Sequence, residues 1–351
     1  MNGNVNKILV CKLKFYGDVL LTTPVIASLR SRYPDATIDL LLYKDTKAIL
    51  SADPRINQFH LLNKKDGFWQ KITNFFKLRK DLKNNSYDLI INLSDQWPIA
   101  YLLSSLHRDS IAFRRQEERW NKLFTKTVPV SGVNIVEQNL SILKGLDFAD
   151  KDVIPELTLY YRESDYQSLF GIDAGFNAKN YIVIQPTARQ LFKCWDDDKF
   201  AKVIDHLTRS GYQVVLTSGP AEAERQQVEN IASMCVIKPN TAFAGKTTFL
   251  QLAALIDHAV MFIGVDSAPM HMAAALDTPQ VCLFGATNYQ QWRPWSKKAT
   301  LLWAGSYHEM PVRDELDRSG QYLTWIPAEA VISAVNEKLQ DIKLNQQDER
   351  D

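Results

Sequence analysis

Four short segments of this 351-residue chain carry residue types whose spacing could do chemistry. The first is Lys12-Leu13-Lys14-Phe15-Tyr16-Gly17-Asp18, between an apolar run and a helical pattern. Gly17 permits close backbone approach, and Asp18 falls at or just before a first helical turn, where the helix dipole favours a negative charge by about 0.3–1 kcal/mol. Such a carboxylate suits a general base, and it equally suits a plain helix N-cap. The second is Gly264-Val265-Asp266-Ser267-Ala268-Pro269-Met270-His271, where an apolar run meets a helix with proline in its opening turn. Free N–H groups at such a terminus bind a phosphate without metal, and His271 could add a donor or simply be a hydrogen-bonded core histidine. The third is Gln185-Pro186-Thr187-Ala188-Arg189 with Lys193 beyond it, which reads either as a cationic loop over a pyrophosphate or as a solvated basic loop. The fourth, Ser218-Gly219-Pro220-Ala221-Glu222, sets an acid after a strand, where it can accept from ribose hydroxyls or be a surface helix-start glutamate.

Other patterns lead away from metals and redox cofactors. Asp196-Asp197-Asp198 contains a DxD, but three aspartates opening a helix are more economically caps. Gly245-Lys246-Thr247 resembles the end of a P-loop whose first glycine would be Asn240, and no G-x-G-x-x-G follows a strand. Cys11, Cys194, Cys235 and Cys282 are far apart with no CxxC and no histidine at ligand spacing, which fits reduced cytosolic thiols and no metal site.

The elements that must position these residues alternate between strand and helix. In the amino half, strands are predicted at Ile8–Leu13, Thr37–Tyr43, Tyr87–Leu93 and Asp109–Phe113, with helices at Val19–Arg32, Gly67–Asn84, Pro98–Leu106 and Asn134–Leu146. The carboxyl half restarts with strands at Tyr181–Gln185, Gln213–Thr217, Val236–Lys238, Ala259–Gly264 and Gln280–Phe284, and helices at Asp197–Ser210, Ala221–Ser233, Thr247–Ile256 and Pro269–Leu276. That order predicts two doubly wound α/β domains with parallel sheets, residues 1–165 and 175–326, then a closing helix over 327–344 and a polar tail over 345–351. Their strand ends would meet at a shared cleft. The composition, 46% hydrophobic and 23% charged, is that of an ordinary folded chain, and the amino terminus shows neither a leader nor a membrane span. The net charge of +1 is uneven: residues 64–126 hold 13 Lys/Arg against 7 Asp/Glu, a surface for anions but too interrupted for nucleic acid. Within it, Phe68-Trp69, Ile72, Phe75-Phe76 and Arg79 recur at helical spacing beside Lys71, Lys77, Lys80 and Lys83. This is either a core helix with a basic outer face or an interfacial helix at an anionic membrane.

The segment KILVCKLKFYGDVLLTTPVIASLRSRYPDATIDLLLY resembles the amino terminus of the ADP-heptose:lipopolysaccharide heptosyltransferases, glycosyltransferase family 9. LQLAALIDHAVMFIGVDSAPMHMAAALDTPQVCLFG resembles the same family's donor-site signature. The likeness spans nearly the whole chain and is strongest to the heptosyltransferase III branch. It implies the GT-B architecture, two Rossmann-like domains with the acceptor mainly on the first and ADP-heptose on the second. Carried over residue by residue, Asp18 would be the general base, Thr187 and Lys193 would bind the diphosphate, beside Arg189 of the cationic loop already noted, Glu222 the adenosine ribose, and Asp266, Ser267, Ala268 and His271 the pyrophosphate and adjoining sugar. Lys193-Cys194-Trp195-Asp196 stands where relatives have Lys-x-Trp-Pro, and Gly285-Ala286-Thr287 where Gly-Pro-Thr is frequent, which bears on loop geometry.

The resemblance implies an inverting, metal-independent transfer of L-glycero-D-manno-heptose from ADP-heptose to a heptose of the lipopolysaccharide inner core. Growing charge on ADP would be met by Lys193, His271 and the helix opening at Ser267. The acceptor, a phosphorylated glycolipid, places the enzyme in the cytoplasm at the inner face of the inner membrane, and Lys64, Lys65, Arg114, Arg115 and Arg119 are candidates for its phosphates. The alternatives are a transferase of the first or second core heptose and a non-catalytic ADP-sugar-binding protein of the assembly machinery.

Overall fold

A computed structural model describes residues 5–348, which form two compact units, one ending at Tyr160 and the other starting at Tyr161. In the first unit the strands are β1 (Lys7–Cys11), β2 (Thr37–Tyr43), β3 (Gln58–Leu62), β4 (Leu89–Asn92), β5 (Asp109–Phe113) and β6 (Lys126–Val128). Its helices are α1 (Tyr16–Leu20), α2 (Thr23–Arg32), α3 (Phe68–Asn85), α4 (Trp97–Ser104), α5 (Glu118–Asn121) and α6 (Ile135–Leu140). The second unit has β7 (Tyr181–Gln185), β8 (Gln213–Leu216), β9 (Met261–Val265), β10 (Gln280–Phe284) and β11 (Ala299–Trp303). Its helices are α7 (Glu163–Gln167), α8 (Leu169–Ile172), α9 (Asp197–Arg209), α10 (Glu222–Met234), α11 (Phe249–Asp257), α12 (Ala268–Ala275), α13 (Tyr289–Trp292) and α14 (Ala328–Asp348).

Both sheets are wholly parallel, with strand orders β3-β2-β1-β4-β5-β6 and β11-β10-β9-β7-β8. The order reverses between β1 and β4 in the first and between β7 and β9 in the second. At such a point the loops leaving the strands diverge to opposite faces and open a crevice at the carboxyl edge. The central strands are buried on both faces, as Ile8–Cys11, β7, β9 and β10 show, which is why they read as unbroken apolar runs. Leu78 and Leu82 of α3 and Ile99, Leu102 and Leu103 of α4 pack over Leu9, Cys11, Leu41 and Ile90. In the second unit α9, α10 and α14 cover Ile182, Ile184, Ile263 and Leu283.

Several expectations need correction. The single helix over Val19–Arg32 is two, because Pro24 has no N–H for the turn behind it and its ring collides with the carbonyl four residues back. The helix over Asn134–Leu146 stops at Leu140 and continues as 3-10 turns. No strand forms at Val236–Lys238. The Val236 N–H is taken by Asp205 of α9 at 2.9 Å, so only an isolated bridge, Val215 to Asn240, touches β8. The closing helix runs to Asp348, so the expected tail is helical in its first four residues, and Glu349–Asp351 lie outside the described residues. Strands β3, β6 and β11, all at sheet edges, were not expected.

Trp195 links a functional loop to this core. Its ring is fully buried, meets Phe200 edge-on at 4.9 Å and donates from Nε1 to the Ile326 carbonyl at 3.1 Å. Trp195→Ala is expected to destabilise the second unit by roughly 3–5 kcal/mol in urea unfolding. A loss below about 1 kcal/mol would show that the ring does not hold this loop to the core.

Candidate active site

In the first unit the base candidate stands on the loop that follows β1. The N-cap of α1 is Phe15, not Asp18, and Asp18 is the third residue of the helix. The capping alternative therefore falls. Asp18 is half-buried, and among the described residues its carboxylate makes no hydrogen bond and no ion pair. Gly17 has helical backbone there, its carbonyl accepting from the Leu21 N–H at 3.0 Å.

The loop after β4, across the reversal of strand order, fixes the Asp18 loop. Ser94 Oγ accepts from the Leu13 N–H at 2.6 Å, and Gln96 Nε2 donates to the Leu13 carbonyl at 2.9 Å. Lys14 pairs with Asp95 at 2.7 Å; partial burial pushes the Asp95 carboxyl up, but this ammonium holds it below the ordinary range. Beneath the loop lies Lys12, 4% exposed, whose Nζ donates to Asn139 Oδ1 at 3.0 Å, while Asn139 Nδ2 donates to the Leu21 carbonyl at 2.9 Å. Burial pushes the Lys12 ammonium down to about 8, and the negative charge of Asp18 is the largest influence opposing it. Sequence reading passed over Lys12, Ser94, Gln96 and Asn139. Lys12 directly follows β1, six residues before Asp18.

The five basic acceptor candidates follow strands on both sides of β1. Lys64 follows β3, its ammonium 3.9 Å from the Tyr43 ring centre and 4.6 Å from that of Phe15, so it touches the Asp18 loop through the α1 N-cap. Lys65 is exposed beside it. Arg115 follows β5, donates to the Asp95 carbonyl at 2.7 Å and lies 4.0 Å over the Trp120 ring. Arg114 is exposed, its N–H given to the Val128 carbonyl at 2.7 Å, and Arg119 is exposed on α5. Lys64 thus reaches the Asp18 loop and Arg115 the Asp95 loop that braces it, and among the described residues no contact brings Arg114 or Arg119 to either.

In the second unit the loops after β7 and β9 are joined across the other reversal of strand order. Lys193 Nζ lies 2.6 Å from Asp266 Oδ2, with Asp266 only 8% exposed. Asp266 therefore does not cap α12. Ser267 is the N-cap, but its hydroxyl makes no capping bond. Pro269 has no N–H to give, which leaves those of Ala268 and Met270 at the helix mouth. Ser267 Oγ and His271 Nδ1 are both buried without a hydrogen-bond partner among the described residues. Burial pushes His271 down to about 4, so it is a neutral ring at pH 7. Two orphaned polar atoms beside a lysine ammonium and a helix mouth form an incomplete polar shell that an anion would complete if the His271 Nδ1 carries the ring proton.

The neighbouring contacts shift emphasis within the third and fourth segments. Thr187 is buried, and its hydroxyl donates to Glu224 Oε2 at 2.8 Å and accepts from Gln185 Nε2 at 2.9 Å. Glu224 also accepts from the Gly219 N–H at 2.9 Å, and a Cβ at Gly219 would come within 2.6 Å of that carboxylate. Glu222 lies outside this network, with its side chain 79% exposed and paired with Arg225. Glu224, two residues along the same helix turn, is an acid within this network that residue spacing did not single out. Arg189 is exposed on the loop. Cys194 folds that loop on itself, its Sγ 3.3 Å from the Ala188 nitrogen.

The aspartates of the DxD do not cap α9 with their side chains. Asp196 pairs with Lys199 at 2.7 Å, Asp197 accepts from Gln227 at 3.0 Å, and Asp198 lies 3.7 Å from Lys202. Among the described residues no group of three or more His, Cys, Asp or Glu could hold a metal ion, and no helix is long and apolar enough to cross a membrane.

The profile of "Glycosyltransferase family 9 (heptosyltransferase)" matches residues 75–323. The chain is 50% identical over 333 residues to "Lipopolysaccharide heptosyltransferase 3" of Escherichia coli K12, covering 93% of this chain and 96% of that one. In fold it matches the family 9 glycosyl transferase of Veillonella parvula (TM-score 0.82, 22% identity, 97% and 100% of the two chains) and E. coli ADP-heptose lps heptosyltransferase II (0.76, 22%, 96% and 99%). With two parallel-sheet units of the GT-B kind, the chain is a glycosyltransferase that belongs to family 9, the heptosyltransferases.

Proposed function

We propose that this enzyme transfers L-glycero-D-manno-heptose from ADP-heptose to a heptose of the lipopolysaccharide inner core, as the branch-forming heptosyltransferase III, with inversion and without a metal. The observation that carries the choice of substrate is the likeness, over almost all of both chains, to a lipopolysaccharide heptosyltransferase 3. The reading of the chemistry draws on the unpaired Asp18 carboxylate and on the polar shell at the mouth of α12.

In the proposed reaction Asp18 accepts the proton of an acceptor hydroxyl as that oxygen bonds to the anomeric carbon. The bond to the ADP oxygen breaks on the opposite face, and its electron pair leaves with ADP. Lys193 meets the growing charge on the diphosphate, held toward it by Asp266, together with the N–H groups of Ala268 and Met270 and neutral N–H or O–H donors from His271 and Ser267. These groups would do what a divalent cation does in metal-dependent transferases. Thr187 contributes by holding Glu224 and the loop, Arg189 by its exposed charge, and Glu222 by accepting from ribose hydroxyls once it leaves Arg225. Lys64, Lys65, Arg114, Arg115 and Arg119 are assigned to acceptor phosphates, and the acceptor's lipid anchor puts the enzyme at the cytoplasmic face of the inner membrane.

Asp18→Asn is expected to lower kcat by at least ~10² while the Kd for ADP-heptose stays within about twofold, read by turnover and calorimetry. Turnover near normal would remove Asp18 from the base role. His271 gives a pH signature. Its folded pKa, about 4, lies below the ordinary 6.5, so the unfolded chain binds the extra proton between those values. The stability it contributes is complete above pH 6.5 and is lost as pH falls toward 4. His271→Asn should flatten the fall of the urea midpoint across that window, and an unchanged slope would mean that His271 is not held neutral.

A further inference from the structure

Helix α3 turns two different faces to its surroundings. Leu78 and Leu82 are buried against the first sheet, with Phe75 packed beside them. The outward side is not uniformly polar. Phe68, Trp69 and Phe76 are 71%, 78% and 65% exposed, and the Phe68 and Trp69 rings meet edge-on at 5.5 Å. Three large rings this open present a few hundred Å² of apolar surface, which a soluble surface rarely leaves uncovered without a use.

The spacing joins those rings to positive charge. Trp69, Thr73, Phe76, Lys80 and Lys83 follow one another at intervals of four, three, four and three, so they form a single stripe along the helix. Lys77, Lys80 and Lys83 are exposed, and Asp81 is the helix's one acidic residue. Its amino-terminal half is thus aromatic and its carboxyl-terminal half cationic. Aromatic rings that settle at a headgroup boundary, flanked by lysines, match an anionic lipid surface in both polarity and charge.

The helix's place in the fold gives this face a purpose. Because α3 follows β3, its aromatic end lies at the carboxyl edge of the sheet, the edge that carries the Asp18 loop. The loop between β3 and α3 is fixed to the helix by Asp66, which accepts from Asn63 at 2.6 Å and from Asn74 at 2.7 Å. It is joined to Phe15 by Lys64.

We propose that α3 is a membrane-docking element: Phe68, Trp69 and Phe76 enter the headgroup region of an anionic bilayer, Lys77, Lys80 and Lys83 bind its phosphates, and the base is thereby presented to a lipid-borne acceptor. The inference deepens the proposed reaction and rests on it for the acceptor, but its physical evidence is the helix alone. A second copy of the chain is the poorer occupant. A two-fold contact through this stripe sets lysines against lysines where the helices run parallel and buries lysines against rings where they run antiparallel, whereas an anionic bilayer accommodates rings and lysines at once.

The test is co-sedimentation of the full chain with vesicles of phosphatidylcholine alone or mixed with phosphatidylglycerol, without lipopolysaccharide or nucleotide sugar. The wild type should partition at least about tenfold more onto the anionic vesicles. A Phe68→Ser/Trp69→Ser/Phe76→Ser variant and a Lys77→Glu/Lys80→Glu/Lys83→Glu variant should each lose about tenfold while keeping the wild-type thermal midpoint, since all six side chains are exposed. Partition equal among the three proteins overturns the inference. So does a wild-type dimer in vesicle-free solution that the aromatic variant abolishes. Vesicle binding by a protein that fails to transfer heptose supports this face and overturns only the proposed reaction.

Discussion

Lys193 and Asp266 stand 2.6 Å apart on loops that leave neighbouring strands toward opposite faces of the second sheet. A parallel sheet whose strand order reverses cannot close the gap between those loops with backbone pairing, so side chains must cross it. With Asp266 nearly buried, the pair fixes where the ammonium sits, and that point is beside the free N–H groups of α12 and the unpartnered buried atoms of Ser267 and His271. Losing either partner would leave the other charge partly buried and unpaired, so the contact matters more for position than for net stability. The same problem is solved differently in the first unit. There Ser94 and Gln96 grip both backbone groups of Leu13, and Lys14 pairs with Asp95, while the Asp18 carboxylate is left without a partner.

This arrangement separates two demands that a metal-free transferase would make on its side chains. Groups that stabilise a departing diphosphate need charge and donors fixed in advance, and a base needs open lone pairs. In this chain the loops of the second unit are braced by Asp266, Glu224 and Trp195, the last buried in the core and bonded to the Ile326 carbonyl. Asp18 is instead placed by its helix backbone, with buried Lys12 below, so its side chain is not used to hold its own position.

What could be read in the sequence follows burial. β1, β7, β9 and β10 are covered on both faces, so their apolar runs announce them. β3, β6 and β11 lie at sheet edges, where half-exposed residues such as those of Ala299–Trp303 mix polar with apolar and erase the pattern. The break before Pro24 was legible in the proline itself but was overridden by a continuous apolar period on both sides. At the site, Asp18, Lys193, Asp266, Ser267 and His271 were legible as candidates because each lies on a loop leaving a strand or in the first helical turn beyond it. Glu224 was not, since choosing between it and Glu222 depends on the rotation of α10 about its axis, which residue spacing from the strand does not define. Lys12, Ser94 and Asn139 were hidden because their partners lie more than 80 residues away.

The proposed reaction uses Asp18 as base and the polar groups at the mouth of α12 for the departing diphosphate, inverts the anomeric centre and needs no metal. Its most direct measurement is the product formed from ADP-heptose and a defined truncated lipopolysaccharide in the presence of EDTA, with linkage and anomeric configuration read by mass spectrometry and NMR. The expected product carries one added heptose, on an inner-core heptose, with configuration opposite to the donor's, and forms at an unreduced rate. Retained configuration, or transfer that stops until a divalent cation is returned, would contradict it.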